Sequence, residues 1–168
     1  MILPEPLQRL AERVGAATAL PEPPFAAAIR AALAESVART DWLPEERRRA
    51  NHERYARHVI HADPLGRFCI LALVWGPGQI SPVHGHCTWC AVAVYQGELA
   101  ETTYRERGAG EMPEPIASVR RVAGSVSFDP ALSAIHRIAN ASDAVAISLH
   151  VYGVDQAHVS TGINRVYA

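Results

Sequence analysis

The sequence predicts a mainly β protein, an antiparallel barrel or sandwich with a helical layer at its N-terminal end. Residues 1 to about 55 are rich in Ala, Leu, Glu and Arg, and their apolar residues recur at three- and four-residue spacing. From about residue 56 the chain consists of short β-branched segments bounded by Gly, Pro, Asn or Asp. A length of 168 residues is most simply one domain, so residues 1–168 are expected to form a single unit.

Three helices are expected in the N-terminal layer. The segments LQRLAERVGAATAL and PFAAAIRAALAESVA have helical spacing, and the PEPP between them breaks the pattern. Thr40 or Asp41 is suited to cap a third, short helix that has Pro44 near its first turn and runs to about Arg54.

At least six strands are expected after the helices. The segments that predict them are RHVIH, RFCILALVWG, CAVAVYQGELAETTY, ASVRRVAGSVSFD, IHRIAN and AVAISLHVYG. GAGEMPEP (108–115) is expected to be a loop because it is rich in Gly and Pro.

Composition argues against several classes of function. The net charge is −1, so no broad basic surface for nucleic acid or an acidic membrane is expected. No run of about 18 apolar residues predicts a transmembrane helix. The N-terminal residues lack the pattern of a signal peptide, and three cysteines do not suggest a disulfide framework. We therefore expect a cytoplasmic protein.

A histidine pair is the strongest chemical signal. His84 and His86 are two residues apart and therefore share one face of a strand, where both can bind the same metal ion. Such a site usually needs a third ligand, and His136 on a later strand is the candidate. Spacing alone leaves the alternative of an ordinary buried or surface histidine open.

Cys87 and Cys90 form a C-x-x-C pattern beside these histidines. On a regular strand, residues three apart face opposite sides and cannot easily form a disulfide. No helix N-terminus is predicted that would lower a thiol pKa. A redox pair is therefore disfavoured: Cys90 is expected to face the histidines, and Cys87 to face away.

The spacing around the histidines resembles the cupin superfamily. Gly78, His84-x-His86, Cys90 and Gly97 are spaced as in the first cupin motif, with Cys90 where Glu is usual. The second motif is matched in part by Gly124, Pro130, His136 and Asn140, with one extra residue before His136. The resemblance implies a cupin antiparallel β-barrel, jelly-roll-like, with the N-terminal helices packed outside.

Within the cupins, the chain resembles thiol dioxygenases of the cysteine dioxygenase type. YARHVIH (55–61) resembles the segment with that family's carboxylate-binding arginine, which falls on Arg57. VWGPGQISPVHGH (74–86) resembles its approach to the iron site, and SLHVYG (148–153) its Ser-x-His-x-Tyr run. The likeness covers about residues 50 to 155.

The resemblance implies roles for eight residues. His84, His86 and His136 would bind Fe(II), and Arg57 would bind a substrate carboxylate. Tyr55 is expected to line the site because it lies close to Arg57 in the sequence. Every second residue of a strand points to the same face, so one face carries Ser148, His150 and Tyr152. These side chains could form a row of hydrogen bonds, a ladder, that orients the Tyr152 hydroxyl. Cys90 occupies the position of a Cys–Tyr crosslink in animal-like members. For Arg57, a salt bridge to Asp63 or a nearby Glu is the alternative.

The expected reaction adds both atoms of O2 to the sulfur of a small thiol. The usual non-haem iron triad contains a carboxylate, whereas three neutral imidazoles keep the full charge of Fe(II) for an anionic sulfur. L-cysteine is the first substrate choice and 3-mercaptopropionate or another mercapto-acid the second. The relatives that prefer 3-mercaptopropionate differ at the positions of Cys90 and Arg57. Two alternatives stay open, a non-redox cupin metalloenzyme, such as a zinc isomerase or hydrolase, and a non-catalytic binding cupin.

Overall fold

The computed structural model describes residues 3–108, 110–132 and 134–167, and it confirms a mainly β architecture. Two helices come first, α1 (Glu5–Ala17) and α2 (Pro24–Val37). Within the described ranges they are followed by the strands β1 (Ala56–Ala62), β2 (Cys69–Trp75), β3 (Val83–His86), β4 (Cys90–Gln96), β5 (Glu98–Arg105), β6 (Glu114–Val122), β7 (Val126–Asp129), β8 (Ile135–Ala139), β9 (Ala146–Tyr152) and β10 (Asn164–Tyr167). Ala109 in the predicted loop and Ser133 before His136 lie outside the described residues.

The strands form two antiparallel sheets. The first sheet has the order β1-β2-β9-β4-β7 and the second the order β10-β3-β8-β5-β6. No strand ladder joins the two sheets within the described residues, so the expected barrel is a jelly-roll-like sandwich and is not closed by hydrogen bonds.

The layers enclose two separate cores. The helices cover the outer face of the first sheet, where a large apolar cluster includes Leu10, Ile29, Leu33 and Leu149. A smaller cluster lies between the sheets and contains Tyr152 among its members. The central strands β2 and β9 are therefore buried on both faces.

Neither described helix is long and apolar enough to cross a membrane.

The prediction of a third helix is wrong, because the segment forms only a short 3-10 turn at Glu45–Arg47. Trp42 and Leu43 before it are buried and tied to the core: the Trp42 indole N–H donates to the Ser36 carbonyl at 2.9 Å, and the Leu43 N–H donates to the Tyr95 hydroxyl at 3.1 Å. The residues that follow are mostly exposed and offer no apolar face that packing could stabilise as a helix.

Two of the predicted strand segments are each divided at a glycine. Gly97 has φ +74° and separates β4 in the first sheet from β5 in the second. A Cβ there would lie 3.1 Å from the Ala146 Cα, so both the turn and the close approach favour glycine. Gly124, with φ +87°, likewise precedes β7, while β6 begins at Glu114, inside the predicted loop.

Candidate metal centre

Three histidines meet on the inner face of the second sheet. β3 carries His84 and His86, and its pairing with β8 sets His136 directly opposite His84. The three ring centroids lie 4.6, 4.9 and 5.2 Å apart, and one nitrogen of each ring lies within 4.8 Å of the others. All three side chains are buried. The structure thus brings together the three residues predicted as metal ligands.

Gly85, between the two histidines of β3, lets the neighbouring strand approach. It is paired with Ile135 on β8, and a Cβ on it would lie 2.9 Å from the Ala134 carbonyl oxygen. Real Cβ atoms essentially never come so close, so a larger residue would push β8 away. The glycine therefore helps to place His136 beside His84.

Hydrogen bonds orient two of the three rings. His84 Nδ1 lies 3.0 Å from the Pro82 carbonyl oxygen, and His136 Nδ1 lies 2.8 Å from Glu101 Oε1. A carbonyl or carboxylate oxygen only accepts, so both Nδ1 atoms carry a proton, and Nε2 of each ring is the atom left for a metal ion. His136 Nε2 and His86 Nδ1 are buried without a hydrogen-bond partner in the described part of the chain.

Burial also keeps two of the rings neutral. It lowers the pKa of His84 to about 4 and that of His86 to about 3, with a further contribution from the neighbouring His136. A neutral imidazole is the form that binds a metal ion. At neutral pH the pair therefore offers lone pairs instead of charges.

The inner face of β9 carries the predicted ladder. The Trp75 indole N–H donates to Ser148 Oγ at 2.9 Å, Ser148 Oγ lies 2.8 Å from His150 Nε2, and His150 Nδ1 lies 3.0 Å from the Tyr152 hydroxyl. Burial lowers the pKa of His150 and raises that of Tyr152, so both are neutral. The Tyr152 ring lies 5.7 Å from the His86 ring, so the ladder ends beside the histidines.

The two cysteines of the C-x-x-C pattern are separated, as expected, but strand parity is not the cause. β3 ends at His86 in the second sheet and β4 begins at Cys90 in the first, so the chain changes sheet between them. Cys87 is exposed and Cys90 is buried. Cys90 is directly opposite Tyr152, whose other neighbour in the first sheet is Cys69.

Arg57 lies at the rim of this site, and its guanidinium forms no ion pair within the described residues. Its side chain is exposed and donates one long hydrogen bond, 3.4 Å, to the Val159 carbonyl. Its positive charge partly offsets the rise in the pKa of Tyr152 that burial causes. The alternative partner Asp63 is held by Arg67, with Nε 2.7 Å from Oδ2. The alternative of a salt bridge between Arg57 and Asp63 is therefore not the arrangement found.

Two further residues have clear positions. Tyr55 is half-buried and stacks on Trp75, with ring centroids 4.3 Å apart, so it packs against the start of the ladder. Arg165, on β10, is ion-paired with Glu106 and lies over the Tyr167 ring at 4.8 Å. About half of its side chain is exposed.

Sequence reasoning missed two carboxylates near His136. Glu101 on β5 is buried and contacts both His136 and Arg121, and Asp129 on β7 is half-buried close by. Burial raises the pKa of Asp129. A signal for Glu101 was present: it alternates with the apolar Leu99 on one strand, which predicts a charged side chain facing inward.

Comparison with known proteins identifies the family that shares this pattern. Residues 29–159 match the family model described as cysteine dioxygenase type I. Curated relatives include the human cysteine dioxygenase type 1, 30% identical over 103 residues, which cover 59% of this chain and 50% of the relative. The zebrafish (Danio rerio) protein of the same name is 30% identical over 118 residues, 67% of this chain and 56% of its own. The chain thus spans about half the length of the curated relatives it matches.

Solved structures agree on the fold. A conserved protein with a double-stranded β-helix domain from Klebsiella pneumoniae superposes with a TM-score of 0.54 at 16% identity, covering 74% of this chain and 93% of its own. The protein TT1209 from Thermus thermophilus gives 0.50 at 24% identity, covering 63% of this chain and 89% of its own. At these identities the likeness concerns the fold alone.

Proposed function

This chain belongs to the cysteine dioxygenase type I family, and we propose that it is a non-haem iron enzyme that oxidises a small thiol with O2 to the sulfinate. The observation that carries the proposal is the set of three buried histidines whose ligand nitrogens lie within 4.8 Å of one another. The predicted roles of the surrounding residues are part of the same proposal.

The histidine site fits a metal ion. The His136 Nε2 atom is buried and lacks a partner in the described residues, which is costly unless something binds it. Three imidazoles that leave other positions open are a donor set suited to iron or zinc. We infer Fe(II) from the family. When bound, it supplies the redox chemistry that O2 requires and a positive centre that favours a thiolate over a thiol.

Arg57 is proposed to bind the substrate carboxylate. Its guanidinium is exposed at the rim of the site and forms no ion pair within the described residues, so it can make two parallel hydrogen bonds to a carboxylate. This supports a mercapto-carboxylate substrate. L-cysteine remains the first choice and 3-mercaptopropionate or another mercapto-acid the second.

Tyr152 is proposed to assist the reaction through its hydroxyl group. Trp75 can only donate to Ser148, so the Ser148 hydroxyl proton is free to point to His150 Nε2. His150 then donates from Nδ1 to the Tyr152 oxygen. In this arrangement the Tyr152 proton is available to a bound substrate, and the ladder keeps the hydroxyl beside the histidines.

Cys90 is proposed to react with Tyr152, to which it is directly opposite. A thioether would form one S–C bond and break the thiol S–H bond and one ring C–H bond, and O2 would take up the two electrons and two protons to become hydrogen peroxide. It would fix the Tyr152 ring. Mass spectrometry of protein matured with Fe(II) and O2 should then show the loss of two hydrogens, and Cys90→Ser should abolish that loss.

The activity is tested with purified protein loaded with Fe(II). O2 uptake and sulfinate formation are measured with L-cysteine, 3-mercaptopropionate and cysteamine, which lacks the carboxylate. We expect turnover of a mercapto-carboxylate with a kcat/KM well above that of cysteamine. His136→Ala should abolish it, whereas His52→Ala, on an exposed segment, should not.

Two results would overturn the proposal. One is stoichiometric Fe(II) binding without O2 uptake for any of the three thiols, which would favour a binding protein. The other is tight zinc binding with a non-redox activity that depends on His136, which would favour a cupin isomerase or hydrolase.

A further inference from the structure

We propose that Glu101 is a positioning residue for the metal centre, and that it acts by fixing the tautomer and orientation of His136 with the support of Arg121. The inference rests on the proposed metal site and concerns a residue outside the histidine set. It is carried by a continuous chain of contacts from the exposed strand β6 to the buried ring.

Glu101 is a buried charge with both carboxylate oxygens engaged. Only 6% of the residue is exposed. Oε1 lies 2.8 Å from His136 Nδ1, Oε2 accepts from Arg121 Nε at 2.8 Å, and Arg121 Nη2 forms an ion pair with the same oxygen at 2.8 Å. A carboxylate in this position would be strongly destabilising without such partners. The contacts therefore hold Glu101 in one place.

The contact determines which nitrogen of His136 is free. Because the carboxylate oxygen can only accept a hydrogen bond, Nδ1 carries a proton, and Nε2 is the atom left for a metal ion. Nε2 is the buried atom that lacks a partner in the described residues. A carboxylate behind a ligand histidine also increases the basicity of the ring and commonly strengthens metal binding.

The three histidines differ in this respect. His84 donates to the Pro82 carbonyl, which is a neutral acceptor, and His86 Nδ1 has no partner in the described part of the chain. Of the three, only His136 has a charged partner among the described residues. Loss of that partner should therefore affect His136 first.

Arg121 keeps the carboxylate in place. It comes from β6, its side chain is 37% exposed, and it reaches inward to the oxygen that His136 does not use. The pair leaves no net charge at the back of the ring. The groups follow in the order guanidinium, carboxylate and imidazole, which would leave Nε2 of the imidazole to hold a metal ion.

The first test measures metal affinity. Apo-protein is titrated with Fe(II) under anaerobic conditions, and separately with Co(II), in competition with a chelator. Glu101→Gln keeps the shape and removes the charge, and we expect about 10- to 100-fold weaker binding. Arg121→Met should weaken binding less, because the carboxylate remains.

The second test needs no metal. The 15N chemical shifts of the His136 ring in the apo-protein report which nitrogen is protonated. We expect a single Nδ1–H form in the wild type and a mixture of tautomers in the double variant Glu101→Leu with Arg121→Leu. The double replacement avoids leaving Arg121 without its partner, so we expect the fold to be retained.

One control separates this role from general effects. Glu98→Gln breaks the ion pair with Arg120 on the same two strands. It should retain metal affinity and the Nδ1–H form. Equal affinity and an unchanged tautomer in the Glu101 variants would overturn the inference. A wild-type protein that binds no metal would instead overturn the proposed function.

Discussion

The two faces of strand β9 have opposite chemistry. Towards the helices it presents apolar residues, namely Ile147, Leu149 and Val151, and towards the second sheet it presents Ser148, His150 and Tyr152. Every one of these side chains is buried. One strand therefore contributes to the apolar core with one face and to the candidate site with the other. Packing of the apolar face holds the backbone that carries the polar ladder.

The comparison also separates two kinds of contribution. The helix-facing side is stabilised by apolar area removed from water, which is non-directional. The site-facing side is held by hydrogen bonds, in which each buried polar group satisfies its neighbour. Changes on the helix face should therefore affect stability first, and changes on the inner face should affect activity first.

The largest effect on stability is expected from Leu149→Ala. The side chain is fully buried in the core between the helices and the first sheet, and its removal leaves a cavity. We expect a loss of about 2–5 kcal/mol in the free energy of unfolding, measured with urea. Metal affinity of the folded protein should stay unchanged, and a loss below about 1 kcal/mol would contradict the assignment of this face to the core.

Tyr152→Phe should have the next largest effect, on catalysis. Removal of the hydroxyl should lower kcat/KM about 100-fold, which corresponds to about 2.7 kcal/mol, while stability changes by less than about 1.5 kcal/mol.

Tyr95→Phe is the matched control for that change. Its hydroxyl lies on the helix side and accepts a hydrogen bond from the Leu43 N–H at 3.1 Å. It should lose a similar amount of stability with unchanged kcat/KM. Equal kcat/KM values for the two variants would contradict a specific role of the Tyr152 hydroxyl in catalysis.

Asp63→Asn tests a polar contact of the helical layer. Arg67 joins Asp63 to the Gly15 carbonyl of α1, and its hydrogen bonds to the carboxylate lower the pKa of Asp63 to about 2. Because the folded pKa is below the usual value near 3.8, the pair stabilises above about pH 4, and the stability is lost as the pH falls towards 2.

We expect the variant to lose about 1 kcal/mol at pH 7, a value that allows for the partial exposure of Arg67. The difference from the wild type should disappear near pH 2. A variant that differs from the wild type equally at pH 7 and pH 2 would contradict the linkage.

The smallest effect on activity should come from Trp75, and Trp42 is its matched control because each indole donates one hydrogen bond. Trp75→Phe removes the donor to Ser148, and Trp42→Phe removes the donor to the Ser36 carbonyl, both at 2.9 Å. The lost hydrogen bond should cost roughly 0.5–1.5 kcal/mol of stability in each variant, and the cavity left by the smaller ring adds to that cost in both. Only Trp75→Phe should also lower kcat, and a fall in both variants would argue against a directional ladder.

Local patterns predicted much of the site because strand alternation is strictly periodic. His84 and His86 share a face, and Ser148, His150 and Tyr152 share another, as alternation requires. The same rule was applied too far at Cys87 and Cys90, since the chain leaves one sheet for the other between them. The predicted third helix was wrong because Trp42 and Leu43 are anchored by tertiary hydrogen bonds that a local pattern does not reveal.

The amino-acid sequence was sufficient to predict a mainly β chain with N-terminal helices and to place two sets of candidates on strand faces, namely His84 with His86 and Ser148 with His150 and Tyr152. These features depend on periodicity and on neighbours a few residues away. Only the tertiary structure decided which strands are adjacent: it set His136 opposite His84, Tyr152 between Cys69 and Cys90, and Glu101 behind His136. Those contacts join residues that are far apart in the chain, and they depend on sheet order, which local spacing does not encode.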